Sequence, residues 1–451
     1  MKIQKILKRL LLLHPKSIDL SLGRIKRLLK DLNNPEKKLT NAIQVVGTNG
    51  KYSCCSALRE IFETAGYSVN MNISPSLRRF NERYYFSGKF ISDDELQDLL
   101  NEVEKINDNQ KITFHEFICA CFFHAAAKKK SDVNILESGL FFRLDASNVI
   151  IKNIASVIMP IGIDHKDFLK KGTIDEIVYE KCSHLLSGSK IFVSEQKNNV
   201  LEKIKKNIAN NSSKKFILGE DYKYKKNNNG FTYEDKLGKI NLPLPNLLGD
   251  FQLGTVSTAI AVARNLNQFK ITDSHIKEAI TKIRSEGRLQ NITQGKLRKY
   301  VSESNQIIVD GAHNPLGFSV IKKYLETLNK ERKIFLVLAM MSSKQHKACI
   351  QILKEKVHSI TTLDIPNQTN FIKKEELSKI AQSCGIPSKT ENSIKSALKS
   401  VSKENDDAII FCTGSLYHGV RRAWRFDGAD HREHHHRGGV DSRAYVGRNI
   451  K

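Results

Sequence analysis

The chain has 451 residues, too many for one ordinary domain and enough for two or three. An apolar fraction of 40% suffices for buried cores and argues against intrinsic disorder. The 73 Lys and Arg against 48 Asp and Glu give a formal charge of +25, but the lysines lie in short scattered runs with no sustained basic helix or RNA-binding signature. The charge therefore reads as a solvated surface, whose field would favour an acidic substrate.

Residues 1–20 are basic with a short apolar run at 10–13. That run is too short for a signal-peptide core and lacks a small-residue cleavage site. AIQVV (Ala42–Val46) predicts a strand ending at Gly47, and helical periodicity follows over 53–65 until Gly66. A strand at 68–73 and a helix at 116–128 come next. The most apolar stretch, 117–127, is broken by His124 and falls far below the ~20 residues of a membrane span, so it reads as a buried helix. Further strands are expected at Val133–Glu137, 155–163 and 190–195, a hairpin or loop at 223–230, and a helix at 255–266. The pattern restarts after about Arg288, with strands in 306–315, 333–340, 358–365 and 407–415. Apolar strands separated by helices predict mostly parallel α/β sheets. The expected units are 1–285 and 286–420, followed by an Arg- and His-rich tail, 421–451, expected to be disordered or extraneous. The eight cysteines form no C-x-x-C pair and match no zinc site or disulfide framework, which suits reduced thiols in a cytoplasmic protein.

Three strings carry chemistry. GTNGKYS, from Gly47 to Ser53, joins a strand to a helix. Its small residues let backbone N–H groups approach phosphate, the helix N-terminus adds a positive dipole end, and Lys51 supplies a point charge. It departs from the G-x-x-x-x-G-K-[ST] string at Val45 and Tyr52, and a plain β-to-α turn fits it too. Glu137 and Asp164-His165 end apolar strands, where parallel sheets bind ligands; metal ligation and capping or turn roles both fit. DGAHNP, from Asp310 to Pro315, opens a helix and is also a strong turn and N-cap signal.

Together these strings resemble the folylpolyglutamate synthase/dihydrofolate synthase family of the Mur ligase group. HPKSIDLSLGRI, VVGTNGKYS, ISPSLRRFNER, ISDDEL, TFHEF, ESGLFFRLDASN, IGIDHKDFL, EKCSHL, LPLP, GRLQ, DGAHNP and GSLYH occur in family order between about residues 10 and 418. The resemblance implies a Mur-ligase-like α/β fold, with a larger P-loop ATP-binding domain and a smaller C-terminal Rossmann-like domain. It implies an ATP-dependent acid–amino-acid ligase that joins L-glutamate to dihydropteroate, to tetrahydrofolyl-(poly)glutamate, or to both, through an acyl phosphate. Similarity of the SIDL element to that of the bifunctional bacterial enzymes favours dihydropteroate as one substrate.

By position, the resemblance implies ATP contacts at Thr48, Asn49, Gly50, Lys51, Ser53, Thr255, Arg288 and Asp310. It implies Mg²⁺ ligands at Ser74, Glu137 and His165, and catalytic roles for Lys51, His165 and Lys181. Lys181 stands where such enzymes carry a carbamylated lysine; without the resemblance it would read as a solvated helix lysine. Folate contacts are implied at Ser17, Ile18, Asp19, Leu20, Thr113, Phe114, His115, Glu116, Leu144, Asp145 and Ala146. The partners implied are small molecules, with no nucleic acid and no membrane, acting on a cytoplasmic monomer. Residues 285–287 are the expected hinge for a domain closure that shields the acyl phosphate. Tyr52 and the pair Phe141-Phe142 stand where the family has Gly, Ser76 where it has His, and Thr255 where it has an ATP-binding Asn. These departures bear on substrate preference and rate. They keep open a non-catalytic folate- or nucleotide-binding descendant, beside a Mur-type cell-wall precursor ligase.

Overall fold

The computed structural model describes residues 2–415 apart from Ser17, Arg78, Asn329, Lys330 and Asn367. Residues 416–418 of the GSLYH string and the expected tail 421–451 lie outside the described residues. The chain divides into two compact units. One holds residues 2–162 and 169–285; the other holds 163–168 and 286–415.

The first unit is built on eight strands: β1 (Ala42–Val46), β2 (Val69–Asn72), β3 (Tyr84–Phe86), β4 (Lys89–Phe90), β5 (Val133–Glu137), β6 (Ala155–Ile158), β7 (Lys190–Val193) and β8 (Lys214–Ile217). Their order is β4-β3-β2-β5-β1-β6-β7-β8, parallel except at β2-β3 and β3-β4. β9 (Tyr222–Asn227), β10 (Gly230–Asp235) and β11 (Gly238–Leu242) form an antiparallel meander, so the polar stretch 223–230 is a hairpin. Its helices are α1 (Lys2–Leu10), α2 (Gly23–Asp31), α3 (Lys51–Thr64), α4 (Asp93–Asn107), α5 (Phe114–Lys128), α6 (Ile174–Cys182), α7 (Asn198–Ile208), α8 (Phe251–Asn265) and α9 (Asp273–Lys282).

β1, β5 and β6 are buried along their whole length, which is why they read as mostly apolar runs, with Gln44, Asn134 and Ser156 buried among them. Alternate residues serve opposite faces. Ile43 and Val45 pack with α3, α8, α9 and the meander, while Ala42 and Leu136 pack with α1, α2, α4 and α5. Capping boxes start α4, α5 and α6, where Ser92, Thr113 and Thr173 each accept the N–H of a Glu three residues on. The β6 strand stops at Ile158 rather than continuing to 163, because residues 159–162 turn to brace the loop after β1.

The second unit has β12 (Gln290–Asn291), β13 (Gln306–Val309), β14 (Lys333–Leu338), β15 (Ser359–Thr362), β16 (Ser388–Thr390) and β17 (Ala408–Thr413), in the order β12-β13-β17-β14-β15-β16. Only the short β12 edge is antiparallel. The helices α10 (Pro315–Leu325), α11 (His346–Leu353), α12 (Lys374–Ser383) and α13 (Ile394–Glu404) connect these strands. One expectation is corrected: residues 163–168, placed in the 1–285 unit, cluster with the second unit, because Asp164 takes its partners there. All eight cysteines are buried free thiols. Among the described residues, no helix is long and apolar enough to cross a membrane.

Phe62 on α3 is fully buried and meets Phe269 edge-on at 5.0 Å and Tyr67 at 6.4 Å. Phe62→Ala should cost about 3–5 kcal/mol of stability in urea denaturation; a loss below about 1 kcal/mol would show that this aromatic cluster does not hold the first core together.

Candidate functional site

β1 pairs in parallel with β5 on one side and β6 on the other. The chain therefore runs from β1 to strands on one side of it and later crosses to β6. This is the topological switch at which parallel sheets place ligands, beyond the carboxyl ends of the strands. Three loops leave that edge: residues 47–50 after β1, 138–147 after β5 and 159–162 after β6.

The 47–50 turn is held by its backbone. Thr48 and Asn49 N–H both donate to Pro160 O, at 2.9 and 3.2 Å. The Thr48 hydroxyl donates to Gly162 O at 3.0 Å, and Gly162 N–H donates to that hydroxyl at 3.1 Å. Gly47 needs its missing side chain: a Cβ there would lie 2.7 Å from Met159 Cβ and 3.0 Å from Met159 O. Gly50, left-handed at φ 80°, turns the chain into α3, which begins at Lys51 without a side-chain cap. The first N–H groups of a 14-residue helix thus open on the turn.

Lys51 Nζ donates back to Gly47 O at 3.1 Å and Thr48 O at 3.4 Å. Lys181, buried near the end of α6, donates to the same Gly47 O at 3.0 Å and to Leu140 O at 3.1 Å. Two lysines more than a hundred residues apart in sequence therefore meet at one carbonyl. The Lys181 ammonium also lies 5.5 Å from the centroid of the buried Phe141 ring, within cation–π range. Tyr52, half-buried, packs against the first core. The Ser53 and Ser285 hydroxyls hydrogen-bond at 2.8 Å. Thr255, buried on α8, puts its Oγ1 3.8 Å from where a Cβ on Gly50 would lie.

Glu137 ends β5, and its Oε2 accepts the Ser74 N–H at 2.8 Å. The bond brings residue 74 beside the Glu137 carboxylate, and hard oxygen ligands of this kind suit Mg²⁺, which keeps waters and takes few protein ligands. Among the described residues, no group of three His, Cys, Asp or Glu is placed to hold a metal. His165, the third expected ligand, belongs to the second unit.

In that unit Asp164 is a hub. Its carboxylate accepts Lys344 Nζ at 2.6 Å, Asn314 Nδ2 at 3.0 Å and the His165 N–H at 2.8 Å, with His313 Nε2 at 3.4 Å. Burial pushes its pKa up, but the His313 hydrogen bond and the cations around it win and hold it far below the usual carboxylate range. His165 sits at φ 55°, a left-handed conformation uncommon for a residue other than glycine. Asp310 accepts the Leu289 N–H at 2.8 Å and the Ala312 N–H at 2.7 Å, which brings it beside Arg288. Burial still raises the Asp310 pKa. Asn314 caps α10, in keeping with the turn and N-cap reading of DGAHNP, but its bond to Asp164 and the places of His313 and Lys344 have no signal in the sequence pattern.

The expected folate contacts gather in the first unit, except Ser17, which lies outside the described residues. Glu116 Oε2 accepts the Thr113 N–H and hydroxyl, both at 2.8 Å. Its other oxygen is buried with no hydrogen-bond partner among the described residues. Asp145 accepts N–H bonds from Gly139, Leu140 and Ser147 and the Ser147 hydroxyl, and lies 3.5 Å from His115 Nε2. It thereby fixes the loop that follows Glu137. Phe114 and Ala146 are buried, while Ile18, Leu20 and Leu144 are half-buried.

Residues 293–418 match the family model of the dihydrofolate synthetase C-terminal domain. The chain is 30% identical to the dihydrofolate synthase/folylpolyglutamate synthase of Buchnera aphidicola subsp. Acyrthosiphon pisum, covering 81% of this chain and 85% of that protein. It superposes with TM-score 0.82 and 25% identity on E. coli FolC in complex with DHPP and ADP, covering 93% and 96% of the two chains. A bifunctional folylpolyglutamate synthase/dihydrofolate synthase with Mn, AMPPNP and L-glutamate bound gives TM-score 0.80 and 25% identity, over 93% and 96%.

Gly47→Ala should displace the turn and weaken ATP or ADP binding by about tenfold or more in calorimetry; unchanged affinity would show that the close approach does not shape the turn. Burial raises the Asp145 carboxyl, but its bonds from His115 and Ser147 prevail and lower it from the ordinary 3.8 to about 2. Its contribution to stability, about 2 kcal/mol, is therefore complete above the ordinary value and lost as pH falls through the folded one. Unfolding free energy should drop over that acid window in the wild type and not in Asp145→Asn; parallel pH curves would refute the assignment.

Proposed function

This chain belongs to the dihydrofolate synthase/folylpolyglutamate synthase family and is an ATP-dependent ligase of folate synthesis, and we propose that dihydropteroate is a carboxylate it extends with L-glutamate. Tetrahydrofolyl glutamates present the same reactive group. The observation that carries this reading is the 47–51 turn, with its two lysines, at the carboxyl end of the strand next to Glu137.

A carboxylate is a poor acyl donor because its leaving group would be oxide. In the proposed reaction a carboxylate oxygen attacks the γ-phosphorus of ATP, the bond to ADP breaks, and an acyl phosphate forms. The amine nitrogen of glutamate then attacks the acyl carbon. The resulting tetrahedral intermediate expels inorganic phosphate and loses the amine proton, leaving the amide. Little covalent work falls to the protein; it positions the groups and neutralises charge.

Lys51 and the N–H groups opening α3 stabilise the phosphates as negative charge shifts between them. Lys181, as an ammonium, ties the turn to the loop after Glu137 through Gly47 O and Leu140 O. A carbamate nitrogen keeps a single N–H and would release at least one of these carbonyls, so no step is assigned to a carbamate. Ser74 and Glu137, both in the first unit, are the residues that would hold Mg²⁺ there. When bound, the metal supplies positive charge to the phosphate oxygens. Asp310 and Arg288 are the nucleotide contacts proposed in that unit. Asp145 and the buried free oxygen of Glu116 offer acceptors to the N–H groups of a pterin ring.

Loss of such a charge contact raises a barrier by about 2.7–4 kcal/mol. Lys51→Ala should therefore lower glutamate-dependent ADP release with dihydropteroate at least about a hundredfold. A variant releasing ADP near the wild-type rate would remove Lys51 from the mechanism. A wild-type chain releasing none with either dihydropteroate or tetrahydrofolate would defeat the ligase reading itself.

A further inference from the structure

Two stretches expected to contact the pteroate, 17–20 and 113–116, lie far apart in sequence, and one side chain outside both joins them. Arg24, in the first turn of α2, gives Nε to Glu116 Oε2 at 2.9 Å. The same guanidinium gives one terminal nitrogen to Asp19 Oδ2 at 2.9 Å and the other to the Asp19 backbone carbonyl at 2.7 Å. The bond to the carbonyl fixes the path of the chain at Asp19 as well as its carboxylate.

Glu116 is buried, and its Oε2 also carries the two Thr113 bonds that start α5. The guanidinium therefore holds the N-terminal cap of one helix and the approach to another at a set separation. A planar fork reaches both partners in a fixed geometry; a lysine, with a compact charge on a flexible stem, cannot match that spread of donors. Without Arg24, Glu116 would be a buried carboxylate short of its cation, and residue 19 would lose the tie to α5 that runs through the guanidinium.

We infer that Arg24 is a positioning residue for pteroate binding: its fork locks Asp19 and the Thr113–Glu116 cap into the one arrangement that the substrate meets. This deepens the ligase reading and rests on the pteroate contacts that the family resemblance implies for those two stretches. Arg24 itself needs no contact with the ligand.

The test uses the full chain, its Arg24→Gln and Arg24→Lys variants, and three readouts. These are the dihydropteroate Kd by fluorescence titration, the KM values for dihydropteroate and ATP, and the melting temperature. Arg24→Gln should raise Kd and KM for dihydropteroate at least about tenfold, the scale of lost charge-assisted hydrogen bonds, with KM for ATP within about twofold. Arg24→Lys, keeping charge without the fork, should fall between, and it carries the test if Arg24→Gln does not fold. Folded variants with wild-type dihydropteroate affinity, or with equal rises in both KM values, would overturn the inference. Wild type that binds dihydropteroate but releases no ADP would defeat the ligase reading and leave Arg24 judged on binding. Wild type that does not bind dihydropteroate overturns both.

Discussion

The turn after β1 in the first unit depends on one close approach, Gly47 against Met159. Because no side chain separates them, the turn after β1 can lie on the loop after β6 and use its carbonyls. Once there, the Gly47 carbonyl is reached by two ammonium groups, one from the next helix and one from α6. Positive charge from both lysines and from the opening of α3 converges on a single turn. An arrangement of this kind suits a polyanion far better than it suits water.

The second unit solves a different problem with a carboxylate at the centre. Asp164 gathers an ammonium, an amide and two imidazoles, and its own neighbour His165 has a left-handed backbone. Burial alone would favour a neutral acid, yet the cluster of donors keeps the charge in place. Lys344 makes the shortest of these contacts, at 2.6 Å, from a position 180 residues away.

Strands were legible where burial was complete. β1, β5, β6 and β14 appear as apolar runs because both their faces are covered, and the turn at residues 47–50 announces itself by its glycines. Element starts were less visible. α3 begins at Lys51 instead of Ser53, because Gly50 bends the chain with no capping side chain to mark it. α8 begins at Phe251, four residues before the apolar periodicity at Thr255 becomes plain. The site was legible in its strings and illegible in its long-range ties. Nothing local in Asp145 foretells the loop amides it collects, and nothing in Lys344 foretells Asp164. Phe141 reads as an intrusion beside Glu137, whereas in the fold it shields the Lys181 ammonium from water.

The six residues 163–168 keep company with the second unit while both ends of that segment remain spliced into the first. Cutting the gene at codon 285 would therefore not yield two self-sufficient halves. The amino-terminal half would carry a strap whose aspartate has left Lys344, Asn314 and His313 behind, and the carboxyl-terminal half would retain a lysine and a histidine with no acid to receive them. Shuffling of this carboxyl-terminal module between relatives is constrained accordingly: an incoming module must arrive with a cation and an amide that fit the resident aspartate.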